Sequence, residues 1–153
     1  MEAVLIDVSE EWVGIVIGEE SILRDLNAAL IKKFRRTVHM RELRSSEKFL
    51  ALRMFNHLFS GKGVDLYSLK PKITNWWTEL MKEVVKRRIG TLYVDLEVEK
   101  ELKKRVHSLY FKLLNIYTSK EHIQCADILA YGDSHHALVR NIWKDVLIKR
   151  GDP

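Results

Sequence analysis

The stretch Glu121–Tyr131 constrains the chain most, because it places one carboxylate, Asp127, within an otherwise apolar run near a predicted helix start. Ile123, Ala126 and Leu129 surround Asp127 at spacings typical of a buried helix face. An ionised carboxylate in apolar surroundings is costly unless a cation or hydrogen bonds compensate for the lost water. We therefore expect the fold to bring other polar groups to Asp127.

The composition is that of a globular protein. The chain has 153 residues, of which 46% are hydrophobic and 31% charged, so one domain spanning residues 1–153 is expected. No apolar run approaches the roughly 20 residues of a membrane span, and the N-terminus lacks a signal-peptide pattern. We expect a cytoplasmic protein without a membrane partner. The single cysteine, Cys125, excludes an intrachain disulfide and a multi-cysteine metal site.

Basic residues are clustered, and the formal net charge is +5. The clusters lie at 32–36, 86–88, 103–105 and 149–150. They predict a polyanionic partner such as nucleic acid, although each cluster could equally be a solvated helix face. Gln124 is the only glutamine, and Lys, Glu and Arg are abundant, which indicates a thermophilic source.

Buried strands are predicted from short apolar runs. The runs 3–9 and 12–18 are separated by a short polar break, which predicts an antiparallel hairpin. Further strands are predicted at 37–40, 64–69, 89–95 and 108–117. The last of these is ambiguous between strand and helix.

Helices are predicted from apolar residues at spacings of three and four. They cover 19–36, 45–59, 73–88 and 97–106, and a long last helix covers 122–150 with a kink at 132–134. The helix from Ser45 should end at 60–63, where two glycines occur.

Four carboxylates lie at the ends of predicted strands or near the starts of predicted helices. Asp7 and Asp95 end predicted strands, Glu42 precedes a helix, and Asp127 opens the last helix. This layout is typical of the ribonuclease H-like fold, an α/β fold with a central mixed sheet flanked by helices. Carboxylates a few ångströms apart repel one another and bind Mg²⁺ or Mn²⁺. Two such ions about 4 Å apart can promote phosphodiester cleavage.

Each acid has a simpler interpretation. Asp7 could be a turn residue of the hairpin, and Asp95 could cap the helix that follows it. Glu42 competes with Glu47 for the same role, and either could lie at the surface.

The histidines and one further aspartate are the remaining candidates for the same site. His122 precedes Asp127 by five residues and could aid proton transfer or product release, or be an ordinary first-turn residue. His39, His135 and His136 lack a zinc-site spacing. Asp133, six residues after Asp127, should face away from it.

Three segments resemble a widespread prokaryotic family of ribonuclease H-like nucleases. Residues 123–131 resemble its closing I-Q-x-A-D-x-x-A helix, His39–Leu43 its H-x-x-E-L segment, and residues 5–9 part of its D-E-S-G opening strand. The resemblance spans most of the chain but is thin between motifs. It implies that Asp7, Glu42, Asp95 and Asp127 bind the metal ions, with Asp95 matched on strand context more than on a motif.

The sequence departs from the family at Val8, which replaces a glutamate, and at Glu10, which replaces a glycine. A rival alignment makes 64–69 the central strand and leaves Leu69 at the position of the acid, which would imply an inactive site.

Three functions remain open at this point. The first is a Mg²⁺- or Mn²⁺-dependent nuclease acting on DNA, RNA or a hybrid. The second is a catalytically silent ribonuclease H-like module that binds nucleic acid or a protein. The third is a junction resolvase, which would form a homodimer.

Overall fold

A mixed six-stranded sheet forms the centre of the molecule. The structure is a computed structural model that describes residues 1–9, 11–70, 76–106, 112–135, 139 and 141–150. The strands are β1 (Glu2–Ser9), β2 (Trp12–Glu19), β3 (Asp65–Leu69), β4 (Thr91–Val94), β5 (Asn115–Thr118) and β6 (Ile148–Arg150). Their order in the sheet is β5-β4-β1-β2-β3-β6. The predicted hairpin is confirmed, since β1 pairs antiparallel with β2. Strand β3 continues the antiparallel part, whereas β4 runs parallel to both β1 and β5.

Five α-helices flank the sheet in the described ranges. They are α1 (Glu20–Phe34), α2 (Ser45–Phe59), α3 (Trp76–Arg87), α4 (Leu96–Arg105) and α5 (Gln124–Ser134). The expected α/β architecture is confirmed, and the first four helices agree with prediction. The predicted start of α3 at Ile73 lies outside the described residues. None of the helices described is both long enough and apolar enough to span a membrane.

The sheet separates two hydrophobic cores because side chains alternate between its faces. Leu5 of β1 packs with apolar residues of α1, α2 and α5 on one face. Val4 and Ile6 pack with α3 and α4 on the other. Asp7 follows this alternation, so its side chain lies on the face covered by α5.

The register brings two of the predicted acids to the same end of the sheet. Ile6 of β1 is opposite Val94 of β4 in the parallel pair. The next residues along the two strands are Asp7 and Asp95, and the carboxyl ends of parallel strands share one edge of the sheet.

The rival alignment of 64–69 is wrong for this sheet. These residues form β3, which pairs with β2 and β6 and is not a neighbour of β1. The strand beside β1 that leads to an acid is β4.

The predicted strand at 37–40 is wrong. Met40–Glu42 form a 3₁₀ turn, and the backbone N–H groups before it bond to side chains instead of a neighbouring strand. Val38 N–H donates to Gln124 Oε1, and Met40 N–H donates to Asp127 Oδ2, both at 2.7 Å. Side chains of α5 therefore satisfy the donors that a strand partner would have satisfied.

The prediction of one long helix over 122–150 is also wrong. Helix α5 ends at Ser134, whose hydroxyl donates to the carbonyl of Tyr131 at 2.7 Å and competes with continued helix. The chain then returns so that Trp143 covers Gly132, and β6 pairs parallel with β3.

The prediction of a strand at 108–117 is correct only at its end. Residues 112–113 are helical, and β5 begins at Asn115. Residues 107–111 lie outside the described part of the chain.

Candidate functional site

A cleft of about 640 Å³ opens at the end of the sheet where β1 and β4 finish. All four predicted acids line it: Asp7, Glu42, Asp95 and Asp127. Three basic side chains also line it: His39, Arg41 and Lys120. The fold therefore brings together acids that are up to 120 residues apart in sequence.

Helix α5 carries Asp127 into the cleft because it lies unusually close to β2. Gly14, the β2 residue opposite Asp7, faces the backbone of α5. A Cβ atom at Gly14 would overlap the carbonyl oxygen of Ala126 and lie 3.0 Å from the backbone nitrogen of Ala130. The absence of a side chain at position 14 thus permits the approach that places Asp127 beside Asp7.

Asp7 is buried among like charges. Asp7 is 6% exposed, and Asp127 is 5% exposed. Burial, followed by the charge of Asp127, raises the pKa of Asp7 to about 8. The charge of Asp95 also raises this pKa, whereas a 2.8 Å hydrogen bond from Val8 N–H lowers it. Near neutral pH, the Asp7 carboxyl therefore retains its proton.

Asp95, Glu42 and Glu97 also line the cleft. Asp95 precedes α4, but its side chain makes no capping hydrogen bond there. The interpretation of Asp95 as a helix cap therefore has no contact to support it. Of the two competing glutamates, Glu42 lines the cleft. Glu47 instead accepts a 3.0 Å hydrogen bond from Arg44 N–H at the start of α2.

His39 is the residue that sequence reasoning missed. Its Nδ1 lies 3.4 Å from Asp127 Oδ1, and hydrogen bonding to Asp127 raises the pKa of His39. The available signal was its place at the head of the H-x-x-E-L-like segment His39–Leu43. Zinc-ligand spacing was the wrong criterion, because the partner of His39 is a carboxylate 88 residues away.

His122 does not line the acidic cleft as the described residues form it. Its Nδ1 lies 2.7 Å from Ser119 Oγ, and its ring stacks on Tyr93 with the ring centres 4.2 Å apart. Its carbonyl oxygen accepts a hydrogen bond from Asn27. These contacts fit a positioning or packing role better than proton transfer. Asp133, as predicted, faces away and forms a two-bond ion pair with Arg150.

The chemistry of the acids fits a hard divalent cation, but the side-chain arrangement is incomplete. A cation bound at Asp7 would replace the proton that this buried carboxyl retains and would offset the repulsion from its acidic neighbours. Both Asp127 oxygens are engaged, Oδ2 by Met40 N–H and Oδ1 by His39. In the part of the chain that is described, no group of three or more His, Cys, Asp or Glu side chains is arranged to hold a metal ion. A cation at Asp7 and Asp127 would therefore need further ligands from water or from a rotated Asp95 or Glu42 side chain.

Comparison of the chain with protein-family models, curated proteins and solved structures finds no significant match. The resemblance to ribonuclease H-like nucleases therefore stays a prediction, and the cleft is the feature of the molecule that bears on function.

Proposed function

We propose that the protein is a Mg²⁺- or Mn²⁺-dependent nuclease of ribonuclease H-like fold that hydrolyses phosphodiester bonds. The observation that carries the proposal is the buried pair Asp7 and Asp127, with Asp95 and Glu42 in the same cleft. Burying two like charges costs stability, so a cation that binds between them offers the missing compensation.

The sheet supports the same proposal. Three antiparallel strands followed by parallel β4 and β5, in the order β3-β2-β1-β4-β5, are the arrangement expected of a ribonuclease H-like fold. Acids at the ends of β1 and β4 and on the last helix are likewise expected. Here β6 adds a sixth strand beyond β3.

In this proposal Asp7 and Asp127 hold the cation, with Asp95 and Glu42 contributing directly or through water. A bound Mg²⁺ or Mn²⁺ would supply Lewis-acid stabilisation of the charge that develops on the phosphate oxygens. The chain itself supplies the rest. Arg41 and Lys120 are exposed at the cleft and can pair with phosphates, while the His39 imidazole lies next to Asp127, where it can exchange a proton.

The test is cleavage of labelled single-stranded DNA, RNA and hybrid substrates with Mg²⁺ or Mn²⁺, using wild type and Asp127→Asn. The asparagine retains an oxygen that can accept the Met40 N–H, so the fold should survive. We expect the variant to lose at least about 100-fold in rate, because removing a direct metal ligand should cost no less than the roughly 10- to 100-fold lost when a partner of a ligand is removed. Asp25→Asn, on the exposed face of α1, is the matched control and should cleave normally.

Thermal unfolding separates metal binding from folding in the same samples. Mn²⁺ should raise the melting temperature of wild type and of Asp25→Asn, and should raise that of Asp127→Asn much less. Cleavage that survives in Asp127→Asn would refute the proposed site.

A second function, a silent module that binds nucleic acid or a protein without cleaving it, is favoured by two observations. Asp127 has both oxygens engaged, and Val8 stands at the cleft where the resembled family has a glutamate. Tight binding of an oligonucleotide with no cleavage under any divalent ion would support this module over the enzyme.

A further inference from the structure

Three aromatic rings form a continuous stack next to the acidic cleft. We call Tyr117, Tyr93 and His122 the ring stack. The Tyr93 and Tyr117 ring centres are 5.5 Å apart, and those of Tyr93 and His122 are 4.2 Å apart, with the last two rings 3° from parallel. None of these rings belongs to the acidic site described above.

The inner rings of the stack are held in place, whereas the outer ring is open to solvent. The Tyr93 hydroxyl donates to Glu20 at 2.5 Å, and His122 Nδ1 lies 2.7 Å from Ser119 Oγ. Tyr117 lies on β5, at the edge of the sheet, and is 51% exposed. A pre-ordered aromatic surface of this kind loses little conformational entropy when a flat ligand stacks on it.

The ring stack lies within reach of the proposed metal ligands. Tyr117 is directly opposite Tyr93 in the β4–β5 pair, and Asp95 lies two residues beyond Tyr93, so all three side chains share one face of the sheet. A strand spacing of about 4.8 Å and a rise of about 3.3 Å per residue place the Cα atoms of Tyr117 and Asp95 roughly 8 Å apart. One short segment of nucleic acid can therefore place a base on Tyr117 and a neighbouring phosphate in the cleft.

The charges around the stack suit a polyanion. Lys120 lines the acidic cleft, and Arg24 lines a smaller cavity of about 300 Å³ with His122. Two acids near the stack have cationic or hydroxyl partners, whereas Glu121 adds negative charge to the cavity that His122 lines. Glu20 accepts the Tyr93 hydroxyl and lies 3.9 Å from Arg24, while Glu99 pairs with Lys103 at 2.8 Å. The negative charge of Glu20 and Glu99 is thus partly offset.

We propose that the ring stack is a base-stacking subsite for an unpaired nucleobase, and that the partner of the cleft is single-stranded nucleic acid. The inference rests on the proposed function for the cleft itself. Its stacking part is independent of cleavage, because every base presents an aromatic face. A duplex offers such a face only at its ends, since its other bases are stacked on one another.

The experiment measures binding of a fluorescein-labelled oligothymidylate of about eight nucleotides in EDTA, where cleavage by the proposed metal mechanism cannot occur. Tyr117→Ala should weaken binding about 5- to 100-fold, the loss expected for one stacked ring, and Tyr117→Phe should restore it. Phe49→Ala removes a similarly exposed ring from α2 and should leave the affinity unchanged. A duplex of the same length should bind less tightly and depend less on Tyr117, because only its terminal bases present a free face.

The outcomes distinguish this inference from the proposed nuclease. Binding that depends on Tyr117 without any metal-dependent cleavage would leave the subsite standing and refute the nuclease. Cleavage that Asp127→Asn abolishes, together with equal binding by Tyr117→Ala and wild type, would refute the subsite and leave the nuclease standing. A preference for duplex over single strand would also overturn the inference.

Discussion

Asp7 is held in a position that lowers the stability of the folded protein at neutral pH. The carboxyl is buried next to Asp127 and has a pKa of about 8, against an ordinary value of 3.8. The folded state therefore keeps a proton that the unfolded chain releases at lower pH. By linkage, stability is highest below the unfolded pKa and falls as pH rises from there towards the folded pKa. Such an arrangement is typical of a functional site.

We predict that Asp7→Asn is more stable than wild type at pH 8, by at least about 2 kcal/mol, and that the difference shrinks towards pH 4. The substitution removes the charge that must be buried or neutralised. Urea unfolding of both proteins across this pH range measures the effect. Asp25→Asn should show no comparable pH-dependent gain. A wild type that stays as stable as Asp7→Asn at pH 8 would contradict the burial of a repelled carboxylate.

At the scale of elements, the contact between α5 and β2 organises the site. Gly14 allows the helix backbone to approach the sheet, and the acceptors of Gln124 and Asp127 then bind the segment from Val38 to Met40. One helix therefore orders the acidic pair, the 3₁₀ turn and His39 together. A shift of α5 should disturb all of them at once.

Gly14→Ala should destabilise the protein by about 1–3 kcal/mol, because the added Cβ would overlap the α5 backbone and force it away. The pKa of His39 should fall towards its ordinary value as Asp127 moves, which NMR titration of the histidine would record. Gly90→Ala is the matched control, since a Cβ there meets no atom within 4 Å. Equal losses in the two variants would rule out close packing at Gly14 as the cause.

Across the whole molecule, the net charge of +5 occurs together with a cleft that contains two buried acids, Asp7 and Asp127. The excess basic charge favours association with a polyanion over long range, and the acids at the cleft oppose the close approach of phosphates unless a cation intervenes. Exposed Lys120 at the cleft reduces that repulsion locally. Binding of nucleic acid should consequently depend on salt.

We predict that the logarithm of the affinity for oligothymidylate falls linearly with the logarithm of salt concentration. Lys120→Ala should make this slope shallower by about 0.7, which is the contribution of one phosphate contact on single-stranded nucleic acid. Lys62 lies in the turn before β3, at the end of the sheet opposite the cleft. Lys62→Ala is the control and should leave the slope unchanged. Anisotropy titrations at several salt concentrations provide the measurement. An identical slope in wild type and Lys120→Ala would exclude Lys120 from the phosphate path.

Local sequence pattern was enough to predict the type and approximate bounds of most elements and the four acids that line the cleft. Periodicity reports which face of a segment is buried, and that information is local. Tertiary packing sets the conformation of 37–40, the end of α5 at Ser134 and the pairing of His39 with Asp127. The physical reason is that the contacts that fix these features come from distant parts of the chain. Met40 N–H donates to a carboxylate 87 residues away, and β6 pairs with β3 after the chain returns from α5. Contacts of this range leave no periodic signal in the segments that make them.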